Sequence, residues 1–304
     1  MKAFKIDRKN KQWAGPGKHE KHNKRVSALF LAPSFQGVMA FFILPFIVVI
    51  VYSLVDNPIN MEFVGLDNFL RVIKNGAFKK AVFNTLKFSV IAVPLAVVLS
   101  LVLAIVLEWK IPFRSQFRTF FLSPMMVPVA SIVLIWQVLF HYNGAVNEWI
   151  GVFGIDKIDW LKSDKAYIVV VILFLWKNLG YNMILFMAAL SNIPEDLIEV
   201  ARLEHANKWQ IFYHIKLRFM SSTILFVTIM SLINSFKVFR EIYLLTGDYP
   251  VDTIYMLQHY MNNMFGRLDY QNLSAAAIMM SLFMIVIIGI MFLIENHYGK
   301  DVEG

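Results

Sequence analysis

Residues 199–218 read EVARLEHANKWQIFYHIKLR, a charged stretch set between two strongly apolar runs at about 167–190 and 221–245. Each flanking run is long enough to cross a hydrocarbon core of roughly 30 Å as a helix, so the stretch is a polar loop that joins two spans. The same reading along the chain gives six apolar windows, at about 27–55, 83–109, 119–140, 167–190, 221–245 and 272–294. Composition agrees. Of 304 residues, 58% are hydrophobic and 16% charged, and mean hydropathy is +0.58, outside ordinary soluble usage. Continuous runs, rather than short alternating segments, exclude barrel strands. The expected fold class is an all-α membrane protein with six transmembrane helices.

Charge sets the orientation. Nine Lys and Arg fall in the first 25 residues, directly before an apolar run. With that end inside, the inner segments 1–25, 110–118, 191–220 and the C-terminal tail hold 17 Lys and Arg, against 8 in the outer segments 56–82, 141–166 and 246–271. This positive-inside bias makes both termini cytoplasmic. It also accounts for the net charge of +8 without a nucleic-acid partner. The apolar stretch after the basic run is too long for a cleaved signal peptide and lacks a clear small-residue cleavage site. The expected organisation is a basic cytoplasmic segment at 1–25 and a transmembrane domain at 26–300, with an inner loop at 191–220.

Several chemistries lack their residues. The chain has no cysteine, which removes disulfides and thiolate chemistry. Histidines 141, 205, 214, 259 and 297 are scattered without metal-ligand spacing, and no nucleophile–base set or carboxylate pair stands out. No catalytic residue, metal or bound cofactor is expected. Trp149, Trp160, Tyr142 and Tyr167 read as interface anchors. Pro33, Pro45, Pro94, Pro124 and Pro128 lie inside or at the edges of spans, where each frees a backbone carbonyl and favours a kink.

The inner loop reads as two short helices. Asn192, Pro194 and Glu195 form one start signal; Asn207 with Gln210 forms a second, a capping-box variant. Between them the chain turns at His205, where positive φ is expected; Gly adopts it most easily, and His more readily than β-branched residues. Leu197, Val200, Ala201 and Leu203 make one apolar stripe, opposed by Glu195, Glu199 and Arg202. Trp209, Phe212, Tyr213 and Leu217 make the second. Such a loop either lies on lipid headgroups or docks in a partner's groove. The acidic Glu195, Asp196, Glu199 and Glu204 count against the lipid surface.

These residues carry a resemblance. The loop is similar to that of ATP-binding-cassette importer membrane subunits, whose pattern runs Glu-Ala-Ala, three residues, Gly, nine residues, Ile-x-Leu-Pro. Glu199, Ala201, Ile215 and Leu217 fit it; Val200, His205 and Arg218 stand where the pattern has Ala, Gly and Pro. FVGLDNF at 63–69, NTL at 84–86, FRTFFLSP at 117–124, IDWL at 158–161 and FKVFREIYLLTG at 236–247 extend the resemblance, in order, to carbohydrate-uptake permeases. It implies a type I importer permease fold in a bacterial or archaeal cytoplasmic membrane. The implied partners are a second permease, in a heterodimeric or a homodimeric pore, with the departures at Val200, His205 and Arg218 fitting a non-identical one; two ATPase subunits holding ATP and Mg; an extracytoplasmic solute-binding protein; and membrane lipid. It also implies an ATPase-coupling role for Glu199, Ala201, Glu204, His205, Ile215 and Leu217. The chain has no phosphate-cradling Gly-x-x-x-x-Gly-Lys-Ser/Thr motif, so ATP hydrolysis falls to the partner and this chain is not an enzyme.

A sugar needs hydroxyl partners and a flat apolar face. Candidates on the fourth span are Trp176, Asn178 and Tyr181, and on the fifth Ser231, Asn234 and Ser235; interhelical hydrogen bonding is the competing role for the polar ones. Lys177, Lys237, Arg240 and Glu241 read as charges near the outer span ends, favouring snorkelling or pairing. A negatively charged sugar would give Lys177 and Lys237 a larger part. The alternatives are a secondary solute transporter, which needs a central intramembrane acid, an importer permease for a polyol or glycerol phosphate, and a membrane scaffold or intramembrane enzyme.

Overall fold

The computed structural model describes residues 18–108 and 112–298. The basic segment predicted at 1–25 therefore lies mostly outside the described residues. The chain divides into two units, residues 1–51 and 52–304. In the first, α1 (Lys18–Val38) continues through a π-helical turn at Met39–Ile43 into α2 (Leu44–Ser53). Pro45 has no N–H to give the helical ladder and stands just past that π-helical turn.

The second unit begins with α3 (Asp67–Lys74) and α4 (Gly76–Glu108), followed by α5 (Arg114–Met126), α6 (Val129–Leu139) and α7 (Ala145–Gly151). Next come α8 (Ala166–Ser191), α9 (Glu195–Leu203), α10 (Lys208–Ile211) and α11 (Leu217–Phe219), then α12 (Ser221–Phe236) and α13 (Phe239–Thr246). The described chain closes with α14 (Leu257–Gly266) and α15 (Tyr270–Tyr298). Beyond these helices and short helical turns, one isolated antiparallel bridge joins Val55 and Phe63.

Helix α4 against α8 is the most extensive packing in the unit. Asn84, Phe88, Ala92, Ala96, Ser100 and Ala104 recur every fourth residue of α4 and are all buried. Small residues at that spacing form a shallow seam that lets a second helix approach closely. At one end Phe88, Ala92 and Ala96 pack with Ala166, Val170 and Phe174 of α8 and Ile242 of α13. Toward the loop end, Ala104 and Leu107 meet Met183, Phe186, Met187 and Leu190 of α8, with Met220 and Val227. Gly180 fits the same logic on the other side of α8: a Cβ there would lie 1.9 Å from the Phe121 carbonyl oxygen of α5.

Among the described residues, five stretches are long and apolar enough to span: Leu29–Ser53, Gly76–Glu108, Ala166–Ser191, Ser221–Thr246 and Tyr270–Asn296. The span expected at 119–140, where Pro124 and Pro128 favour a kink, is a broken one. It is the pair α5 and α6, bent by 103°. Val127 is extended at the joint (φ −91, ψ 131) because Pro128 disfavours helical geometry in the residue before it and brings no N–H of its own. Pro94, by contrast, sits within the unbroken helix α4.

The segments opposite the 199–218 loop are folded rather than slack. Asn147, 1% exposed, donates from Nδ2 to the Tyr142 and Ile158 carbonyls (2.9 and 2.8 Å). Its Oδ1 accepts from Ile158 N (3.1 Å) and the Trp160 indole N–H (2.9 Å). Trp160 is thus an internal strut rather than a free anchor, while Trp149 is exposed. Asn84 of α4 donates to the Asp252 and Tyr255 carbonyls (2.6 and 3.0 Å), and Leu257 N donates to Thr85 Oγ1 (2.8 Å). These bonds fasten the 246–271 segment over α4.

Candidate functional site

Two places carry chemistry. The first is a cavity of about 540 Å³ between α8 and the α12–α13 joint, a size usual for small-molecule sites. Its wall includes Lys177, Asn178, Asn234, Lys237, Arg240 and Glu241. Its position is a consequence of local folding. Helix α12 stops at Phe236, with Lys237 as the residue that closes it, and α13 restarts at Phe239. The joint turns Lys237 and Arg240, three residues apart, onto one wall.

Lys177 and Glu241 form an ion pair through Nζ and Oε1. Glu241 is 6% exposed, and a buried carboxylate persists when it is paired. Lys177 sits 11 residues into the 26-residue α8, about 17 Å from its start at 1.5 Å per residue. It is a mid-span group, which corrects the expectation of an outer-end charge; the pairing option is the one realised, with Lys177 as the partner. Next to Lys177, Asn178 accepts a hydrogen bond on Oδ1 from Asn234 Nδ2 (2.8 Å) and donates from its own Nδ2 to the Phe174 carbonyl (2.8 Å).

The six expected path residues separate. Asn178 and Asn234 line the cavity and hold each other. Ser231 is fully buried and accepts from Asn182 Nδ2 at 2.9 Å. Ser235 is also buried, 2.7 Å from Ser89 Oγ. Both serines serve helix–helix bonding here, the competing role weighed for them. Trp176 packs on Trp136 of α6 (6.2 Å between ring centroids) in a separate apolar cluster, and Tyr181 is half-buried outside the cavity wall. Met125 and Gln258 join the wall from α5 and α14, and no local pattern marks either.

The second place is the 191–220 loop. Helix α9 starts at Glu195 with Pro194 as its cap residue. Asn192 instead closes α8, which corrects its expected part in the helix start. Asn207 and Gln210 make the reciprocal capping box: Gln210 N donates to Asn207 Oδ1 (2.9 Å) and Asn207 N to Gln210 Oε1 (2.7 Å). His205 has φ 61, the left-handed turn expected of it. Lys216 Nζ donates to both oxygens of Glu108 at 2.7 Å, tying the loop to the end of α4. Ile211 is buried, and Ile215 packs on the core beneath.

The loop's outward face is apolar. Leu197, Val200, Leu203, Trp209 and Tyr213 are exposed, Trp209 at 80%. Glu199, Glu204 and His205 are exposed beside them, while Ala201 and Leu217 are half-buried. The whole face stands on a scaffold fixed by a capping box, an ion pair and a buried base. No group of three or more metal-ligating side chains forms among the described residues.

Residues 96–304 match the family described as "Binding-protein-dependent transport system inner membrane component". The chain belongs to that family. It is a multi-pass permease subunit of the cytoplasmic membrane, as the loop and the order of spans led one to expect. The permease is 27% identical over 282 residues to the trehalose/maltose transport system permease protein of Thermococcus litoralis, covering 91% of this chain and 95% of the relative. It is 28% identical over 270 residues to the sn-glycerol-3-phosphate transport system permease protein of Escherichia coli, covering 87% and 92%. In fold the permease is similar to a chain of a bacterial ABC transporter for import of the acidic polysaccharide alginate. The TM-score is 0.79 and the identity 21%, with 94% of this chain and 99% of that one covered.

Proposed function

We propose that this permease forms one half of the path by which a sugar or oligosaccharide, handed over by an extracytoplasmic binding protein, crosses the membrane. A second, non-identical permease supplies the other half, and two ATP-binding-cassette subunits bound at the 191–220 loop supply the energy. The observation that carries the reading is the exposed apolar face of α9 and α10 on a braced scaffold. A face this apolar on a loop this polar fits a protein groove better than water or headgroups. In this reading Glu199, Ala201, Glu204, His205, Ile215 and Leu217 belong to the ATPase contact. The relatives named for trehalose/maltose and glycerol phosphate uptake support a hydroxylated small solute.

A secondary transporter would need a central acid free to exchange ions or protons. The buried acid of the cavity, Glu241, is engaged by Lys177, which favours the ATP-driven reading.

The test is co-purification and uptake. Glu199→Lys and Ala201→Trp leave the permease in the membrane but reduce ATP-dependent uptake at least tenfold, and the ATPase subunits no longer co-purify with it. Undiminished uptake by both variants, or a wild-type chain that brings down no ATPase, refutes the coupling role.

A further inference from the structure

We propose that the cavity at the α12–α13 joint receives an anionic solute, a sugar bearing a carboxylate or a phosphate, through Lys237 and Arg240. This deepens the translocation reading above and rests on it.

The cavity holds more positive than negative charge. Its wall carries Lys177, Lys237, Arg240 and one carboxylate, Glu241. Lys177 occupies that carboxylate. Lys237 and Arg240 then remain, exposed on the same wall, with no ion-pair partner among the described residues. Lys216 of the inner loop has Glu108 and Lys87 of α4 has the face of the Tyr167 ring. At the joint the one acid, Glu241, is taken by Lys177.

Depth makes the surplus informative. Lys237 lies nine residues inside the end of the span Ser221–Thr246, about 14 Å at 1.5 Å per residue, whereas snorkelling serves side chains near a helix end. Two like charges one helical turn apart repel. A visiting anion offsets both at once. Arg240 offers a planar fork suited to carboxylate or phosphate, and Lys237 a point charge. Asn178, next to Lys177 on α8, and Asn234, three residues before Lys237 on α12, line the same cavity, and their amides suit hydroxyls. The pairing of amides with cations is what a charged sugar requires and a neutral one does not.

The experiment measures binding to the tagged full-length chain, with whatever subunits co-purify, in lipid nanodiscs by titration calorimetry. The probes are trigalacturonate, glycerol 3-phosphate and neutral maltotriose, at low and high salt. The expected result is that at least one anion binds roughly tenfold or more tighter than maltotriose and weakens with salt. Which anion does so separates carboxylate from phosphate. The double variant Lys237→Gln/Arg240→Gln loses roughly tenfold or more in anion affinity with maltotriose binding unchanged. Lys237→Arg, which keeps the charge, retains anion binding.

The proposal is overturned if maltotriose binds as tightly as the anions, if no anion binds, or if the double variant binds anions normally. It is also overturned if that variant sheds the companion permease while anion binding persists, since the cations then serve an assembly contact. Absence of a co-purifying ATPase counts against the importer reading alone, because the binding measurement does not depend on it.

Discussion

At Gly180 a hydrogen stands where any other residue would place a carbon 1.9 Å from the Phe121 carbonyl oxygen and 2.5 Å from its carbon. Both are main-chain atoms of α5, so no rotamer change relieves the overlap; the helices must part. Gly180→Ala is expected to destabilise the permease by about 1–3 kcal/mol and to lower its melting temperature in detergent. An unchanged melting curve would show that α5 slides freely on α8. His259 offers a test through pH. It is fully buried on α14, its Nδ1 accepts the Met256 N–H at 3.2 Å, Nε2 has no partner, and the Phe239 ring stands edge-on at 4.7 Å. Burial pushes its pKa down to about 4, against about 6.5 in the unfolded chain. Between those values the unfolded chain takes up a proton that the folded one refuses. Stability from this group is therefore complete above about pH 6.5 and declines, by about 3 kcal/mol in all, as pH falls to about 4. Melting curves across that window should fall for the wild type and flatten for His259→Gln, whose side chain does not titrate.

Among elements, the inner loop was legible and the broken span was not. The Asn207–Gln210 box and the turn at His205 are local devices, decided by side chains within a few residues, and the sequence shows them directly. The direction of α6 is different. Pro124 and Pro128 announce disturbance, but a proline reads the same whether the helix kinks or turns through 103°. The angle is set by where α6 must lie to pack Trp136 against Trp176 and Phe140 against Trp160. The same tertiary choice packs Trp176 on Trp136, outside the cavity wall. The loop's tether is testable as an element. Glu108→Lys should loosen the loop and cut uptake several-fold, because it leaves Lys216, 18% exposed, facing a like charge. The swap Glu108→Lys/Lys216→Glu restores the pair and should recover most of the uptake. A swap no better than the single variant would deny the tether a role.

Over the whole molecule, hydropathy alone located the membrane-crossing helices, because lipid leaves the backbone no alternative to internal hydrogen bonding. The site was harder to read. Lys177 and Glu241 are 64 residues apart, and nothing in either neighbourhood names the other. Asn178 and Asn234 were picked out as polar residues in apolar runs, yet the same rule picked Ser231 and Ser235, which the packing buries for its own bonding. Polarity inside a span marks a residue as placed for a reason; only the rotation of each helix about its axis says which reason.

The Lys177–Glu241 pair also has a history within each molecule. The two charges enter the bilayer on different helices, and the cation is made first. At elongation rates of about 5–20 residues per second the separation of 64 residues takes roughly 3–13 s. During that interval α8 carries a lone cation that is costly in lipid, by about 2.5–3.5 kcal/mol on insertion scales. The helix at the centre of the finished fold, apolar enough to span by itself, thus carries its charge unpaired until the residue that neutralises it has been made.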